Sequence, residues 1–158
     1  MKILIVDDDK LSRDALEAML KCQPGVEVML AENAFQAWNL LEQEPIPDLC
    51  MLDIMMPELD GLGLLKKIRD APRTTNLQVV FCTSVKDRET VIRAAQLKPE
   101  GYLLKPYDRA KIIAEVNRAQ MKQAEKRLTA TLENLREELA MEANVFRQLL
   151  ARAAGLPQ

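Results

Sequence analysis

The 158-residue sequence contains no histidine. That absence removes Ser/His and Cys/His nucleophile pairs and the commonest zinc ligand, so any chemistry here rests on carboxylates, hydroxyls and lysines. The three cysteines, Cys22, Cys50 and Cys82, form no Cys-x-x-Cys pair, and two of them lie inside apolar runs. They read as reduced core residues and not as a redox or metal motif. No apolar run approaches the ~20 residues of a membrane span, and the opening MKILIVDDD meets charge too early for a secretory leader, so a cytoplasmic location is expected. An excess of one charge is missing too. With 22 Lys and Arg against 24 Asp and Glu, the net charge of −2 gives no reason to expect nucleic acid or an anionic membrane as a partner. The hydrophobic fraction, 48%, is ample for a core.

Short apolar runs do recur: residues 3–6, 26–31, 49–52, 79–82 and 102–104. Between them lie amphipathic stretches, residues 11–21, 35–42, 62–69 and 88–97. Pro24-Gly25 reads as a turn, Asn33 with Gln36 as a capping-box-like helix start, and Asp87 as an N-cap. Five alternations of strand and helix imply a mainly parallel sheet with helices on both faces. In such sheets function collects beyond the carboxyl ends of the strands, where strand order reverses. The residues just past the runs are Asp7-Asp8-Asp9, Asp53, Thr83-Ser84 and Lys105-Pro106. For strand order 2-1-3-4-5, the first and third strands are neighbours roughly 5 Å apart, so their terminal carboxylates crowd together. Clustered acids either share protons or bind a cation, and an all-oxygen donor set suits magnesium. Lys105 and Thr83 would supply a charge clamp and a hydrogen-bond donor for a phosphoryl group arriving at Asp53, which makes Asp53 a candidate nucleophile.

The segments ILIVDDD, LDIMMPELDG, CTS and YLLKP, in this order, resemble the receiver domain of two-component response regulators over about residues 1–122. The resemblance implies a flavodoxin-like sheet of order 2-1-3-4-5 and a phosphoryl group passed from a histidine kinase or histidine phosphotransfer protein to Asp53. It further implies a magnesium site formed by Asp8, Asp53 and the backbone carbonyl of Met55, with Asp7 in support. Thr83 corresponds to the switch hydroxyl, Tyr102 to the switch aromatic, and Lys105, before a cis bond to Pro106, to the phosphate-binding lysine. Asp9 reads as a helix start, Met55 and Met56 as packing residues, and Trp38 as core of the second helix. Ser84 and the Lys98-Pro99-Glu100-Gly101 turn depart from the family's habits. Two other readings stand beside this one: a haloacid-dehalogenase-type phosphatase with Asp7 as nucleophile, and a degenerate receiver used only for docking.

From Tyr107 no glycine or proline occurs until Gly155, so the fifth helix is expected to continue for roughly 45 residues. Leu128, Leu132, Leu135, Leu139, Phe146 and Leu149 fall on alternating spacings of four and three, with Glu142 at the one polar seam position. That is a heptad pattern, and residues 123–158 are expected to form a coiled-coil-like extension that makes the protein a homodimer. Nothing in this segment resembles a DNA-binding domain.

Overall fold

The computed structural model describes residues 1–155. Ten elements alternate along the chain: β1 (Lys2–Val6), α1 (Lys10–Lys21), β2 (Glu27–Ala31), α2 (Ala34–Leu41), β3 (Leu49–Leu52), α3 (Gly61–Asp70), β4 (Gln78–Thr83), α4 (Arg88–Gln96), β5 (Gly101–Leu104) and α5 (Arg109–Ala153). All strand pairs are parallel, and the sheet order is β2-β1-β3-β4-β5. This is the flavodoxin-like topology expected from the sequence.

The period of two along each strand divides the core. Leu4 and Val6 of β1, Cys50 and Leu52 of β3, and Val79 and Phe81 of β4 pack on one face with Ala37 and Leu41 of α2 and Leu64, Leu65 and Ile68 of α3. The intervening Ile3, Ile5, Leu49, Met51, Val80 and Cys82 pack on the other with Leu16 and Leu20 of α1 and Ile112, Val116 and Ala119 of α5. Burial on both faces is why these strands read as continuous apolar runs. Each fully buried Leu or Ile contributes about 1.5–3 kcal/mol, so the central strands anchor the fold.

Helix starts follow their caps. Asp9, Asn33, Asp60 and Asp87 each accept a hydrogen bond from the backbone N–H three residues on. Gln36 does not close a reciprocal box on Asn33; its side-chain oxygen accepts from the Glu32 N–H instead. The Lys98-to-Gly101 turn is tied into the sheet: Glu100 donates its N–H to the Val79 carbonyl, and its carboxylate accepts from the Val79 N–H and pairs with Arg69. Trp38 is only partly buried, its indole N–H donating to Glu42 and its ring covered by the Lys67 ammonium. Cys22 is exposed, unlike the buried Cys50 and Cys82, because it caps α1 on the outside.

Two compact units divide the chain, one spanning Met1–Gln120 and one beginning at Met121. Within the second, the described residues form the continuation of α5, and its leucines are exposed. No helix among the described residues is long and apolar enough to cross a membrane.

Candidate functional site

Strand register brings the acids together. Val6 of β1 lies opposite Leu52 of β3, so Asp7 and Asp53 leave the sheet side by side. The ladder continues one residue further, with the Asp7 N–H donating to the Ala31 carbonyl at 3.2 Å and the Asp53 N–H to the Val6 carbonyl at 2.8 Å. Asp7 and Asp53 are 2% and 5% exposed, whereas Asp8 is open to solvent. One oxygen from each of Asp7, Asp8 and Asp53 lies within 4.8 Å of the others. Three carboxylates this close repel one another, and their all-oxygen donor set fits a hard divalent cation.

Lys105, delivered by the end of β5, answers part of that charge. Its ammonium donates to Asp7 Oδ2 at 2.5 Å and to Asp53 Oδ2 at 2.9 Å. Burial alone would lower the Lys105 pKa, but the hydrogen bonds to Asp7 and Asp53 outweigh it and hold the amine above its ordinary value. The Asp7 pKa is raised as well, which for an acid disfavours the charged form: burial raises it, only partly offset by Lys105 and the Asp9 N–H. Asp53 Oδ1 accepts from the Met55 N–H at 3.2 Å. Asp9 turns away to cap α1, its carboxylate accepting from both the backbone and hydroxyl of Ser12, which lower its pKa.

Two contributors were not singled out in the sequence, although Gly61 closes the LDIMMPELDG segment. Arg13 of α1 looks like a solvated helix residue, yet it is buried, donating to the Asp7 carbonyl at 2.7 Å and to Glu32 at 3.1 Å. Gly61, the first residue of α3, lies against the backbone of the loop after β3: a Cβ there would sit 2.1 Å from the Asp53 carbonyl oxygen.

The model of the response regulator receiver domain matches residues 3–117. The chain belongs to the response regulator receiver family. This membership sets aside the phosphatase reading. Among curated relatives, response regulator Rre1 of Synechocystis sp. is 30% identical over 156 residues, covering 99% of this chain and 67% of that protein. Chemotaxis protein CheY1 of Helicobacter pylori is 30% identical over 107 residues, covering 68% of this chain and 86% of its own length. The probable transcriptional regulator ycf27 of Guillardia theta is 35% identical over 115 residues, but the match spans only 43% of that protein. Among solved structures, the response regulator receiver protein from Pseudomonas putida superposes with a TM-score of 0.69 at 30% identity, covering 74% of this chain and 95% of its own. The Mn(2+)-bound form of response regulator Rcp1 gives 0.64 at 26% identity, covering 73% and 88%.

In this receiver, the two residues expected to form a switch meet through a third. Thr83 is buried at the end of β4, and its hydroxyl oxygen accepts from the Val85 N–H at 3.3 Å. The Val85 carbonyl accepts from the Tyr102 hydroxyl at 2.9 Å. The Tyr102 ring packs at 59° to that of Phe81, with centroids 6.0 Å apart, and burial raises its phenol pKa. The Lys105 N–H donates to the Thr83 carbonyl, and the Lys105–Pro106 bond is cis. Met55 corrects one expectation: it is 63% exposed, while Met56 is buried in the core. The chain then turns tightly through Pro57-Glu58-Leu59, the Leu59 N–H donating to the Pro57 carbonyl at 2.9 Å and Glu58 at positive φ.

Proposed function

We propose that this receiver takes a phosphoryl group onto Asp53 from the phosphohistidine of a kinase or phosphotransfer protein. An Asp53 carboxylate oxygen attacks phosphorus, the P–N bond to the donor imidazole breaks, and an acyl phosphate forms. Lys105, already 2.9 Å from Asp53, balances charge on the incoming oxygens, and Thr83 donates its hydroxyl to one of them. Asp8, Asp53 and the Met55 carbonyl are the groups that would hold magnesium, with Asp7 in support. Magnesium held there would supply neutralisation of phosphoryl charge. The observation that carries this reading is the convergence of Asp7, Asp8 and Asp53 within 4.8 Å, with Lys105 bridging two of them.

The protein is thus a stoichiometric phosphoacceptor working in the cytoplasm, not a turnover enzyme. Residues 1–122 act as the receiver and residues 123–158, the last three of which lie outside the described residues, as a dimerising extension. Phosphorylation moves Thr83, and with it the Val85 link to Tyr102. Labelling with acetyl phosphate, with and without magnesium, tests the site: wild type should incorporate one phosphoryl group per chain only with magnesium, and Asp53→Asn none. Equal labelling of both proteins would overturn the assignment.

A further inference from the structure

The second half of α5 carries more apolar surface than a narrow seam requires. Leu128, Leu132, Leu135, Leu139, Phe146 and Leu149 form the seam, and all are 49–65% exposed. With Leu128 at d, the seam continues at a and d positions through residues 132, 135, 139, 142, 146 and 149. Val145 and Leu150, half-exposed, then fall at g and e. They are five residues apart, which is the spacing at which a g residue meets the e residue of a neighbouring helix in a parallel, in-register two-stranded coil. A shallow groove of about 470 Å³ beside them is lined by Glu138, Met141, Glu142, Val145, Phe146 and Leu149.

We infer that the tail pairs in parallel and in register with a second copy of this chain, and that Glu142 holds this pairing weak. The inference rests on the dimer reading above and specifies its geometry. Across the parallel interface the remaining g-to-e contacts are Thr131 with Arg136 and Glu138 with Ala143, so no like charges meet there. Val145 of each copy covers Leu150 of the other, removing from water two residues that the seam alone leaves bare. Antiparallel pairing does worse on the same surface. Centred at residue 137, it sets Glu138 against Glu138 and Arg136 against Arg136; centred three to four residues later, it pairs Val145 with Glu138 and Leu150 with Thr129.

Parallel pairing carries one penalty. Glu142 of each copy occupies the same d layer, with Glu138 of both copies flanking it at g. The cations nearest along the chain, Arg136 and Arg147, stand at e and b, respectively six residues before it and on the outer face. Four carboxylates therefore gather with no cation among them. Repulsion and desolvation at this layer split the seam into a leucine block, residues 128–139, and an aromatic and aliphatic block, residues 145–150. A single polar seam position of this kind fixes register at a cost in stability, so self-association is weak and conditional.

Sedimentation of the full chain and of Glu142→Leu, together with disulfide trapping of Leu139→Cys in a Cys22→Ser background, tests both halves. Glu142→Leu should tighten the dimer by about tenfold or more. Glu142→Gln should give an intermediate gain, and Leu139→Cys, at an a position, should cross-link to itself. If wild type and Glu142→Leu are both monomers, the dimer reading fails and this inference with it. If wild type dimerises but Leu139→Cys cross-links only when mixed with Glu142→Cys, the chains are antiparallel, and this inference alone is overturned. An unchanged affinity in Glu142→Leu overturns it equally.

Discussion

Asp7 is the most buried of the three clustered acids, and its ionised form is held at a loss. Burial is the largest influence on it, Lys105 and the Asp9 N–H offset only part, and the Asp53 charge adds to the deficit. Its folded pKa therefore lies above the ordinary carboxylate value, so the folded state binds a proton in a range where the unfolded chain does not. Between those two values the fold gains stability as pH falls and loses it as pH rises. Asp7→Asn should raise the unfolding free energy in chelator at neutral pH by on the order of 1 kcal/mol and flatten that slope. Added magnesium should then stabilise wild type more than the variant. Urea titrations across pH check this, and a variant less stable than wild type in chelator would contradict it. Site acids of this kind were readable in the sequence because a carboxylate at the end of a four-residue apolar run has no structural excuse. Arg13 was not readable, since a single basic residue in an amphipathic helix usually faces water. Val85 was invisible for another reason: it joins Thr83 to Tyr102 through backbone atoms, which any residue type would supply.

The β3–α3 connection shows how an element holds the site without contributing a side chain to it. Gly61 donates its N–H to the Ile54 carbonyl at 2.9 Å, bringing the start of α3 hard against the chain that carries Asp53. A Cβ at Gly61 would meet Asp53 and Ile54 backbone atoms at 2.1–2.9 Å, and backbone cannot step aside as a side chain can. Gly63, two residues on, offers the contrast: its Cβ would meet chiefly the Leu59 side chain, at 2.5 Å. Gly61→Ala should therefore destabilise the protein by about 2 kcal/mol and slow labelling of Asp53, while Gly63→Ala should cost distinctly less and leave labelling intact. Thermal unfolding and acetyl phosphate labelling of both variants decide it; equal effects would show that the close approach at Gly61 does not govern the loop. The five alternations, three of the four caps and the parallel sheet were legible because period and punctuation are local properties of the sequence. Strand ends shifted by a residue, as when Thr83 proved to be the last residue of β4 and not the first beyond it, because ladder hydrogen bonds extend past the apolar run.

At the scale of the whole molecule, the chain combines a self-sufficient core with a helix that has none. Among the described residues, the last buried one is Ala119, so a chain ending at Lys122 keeps every side chain that the two core clusters use. It should label at Asp53 as the intact protein does and unfold at a temperature independent of protein concentration. The intact chain should behave differently. A solitary amphipathic helix in water is marginal, because most helical stability in proteins comes from packing an apolar face. None of residues 123–153 is fully buried within its own chain, so their helicity depends on what covers Leu128 through Leu150. Ellipticity per residue at 222 nm should rise with protein concentration for the intact chain, in step with sedimentation, and stay flat for the chain ending at Lys122. Glu142→Leu should shift that rise to lower concentration. A tail whose helicity is complete at the lowest concentrations, in a protein that sediments as a monomer, would mean that α5 needs no partner and that its leucine stripe serves some other contact.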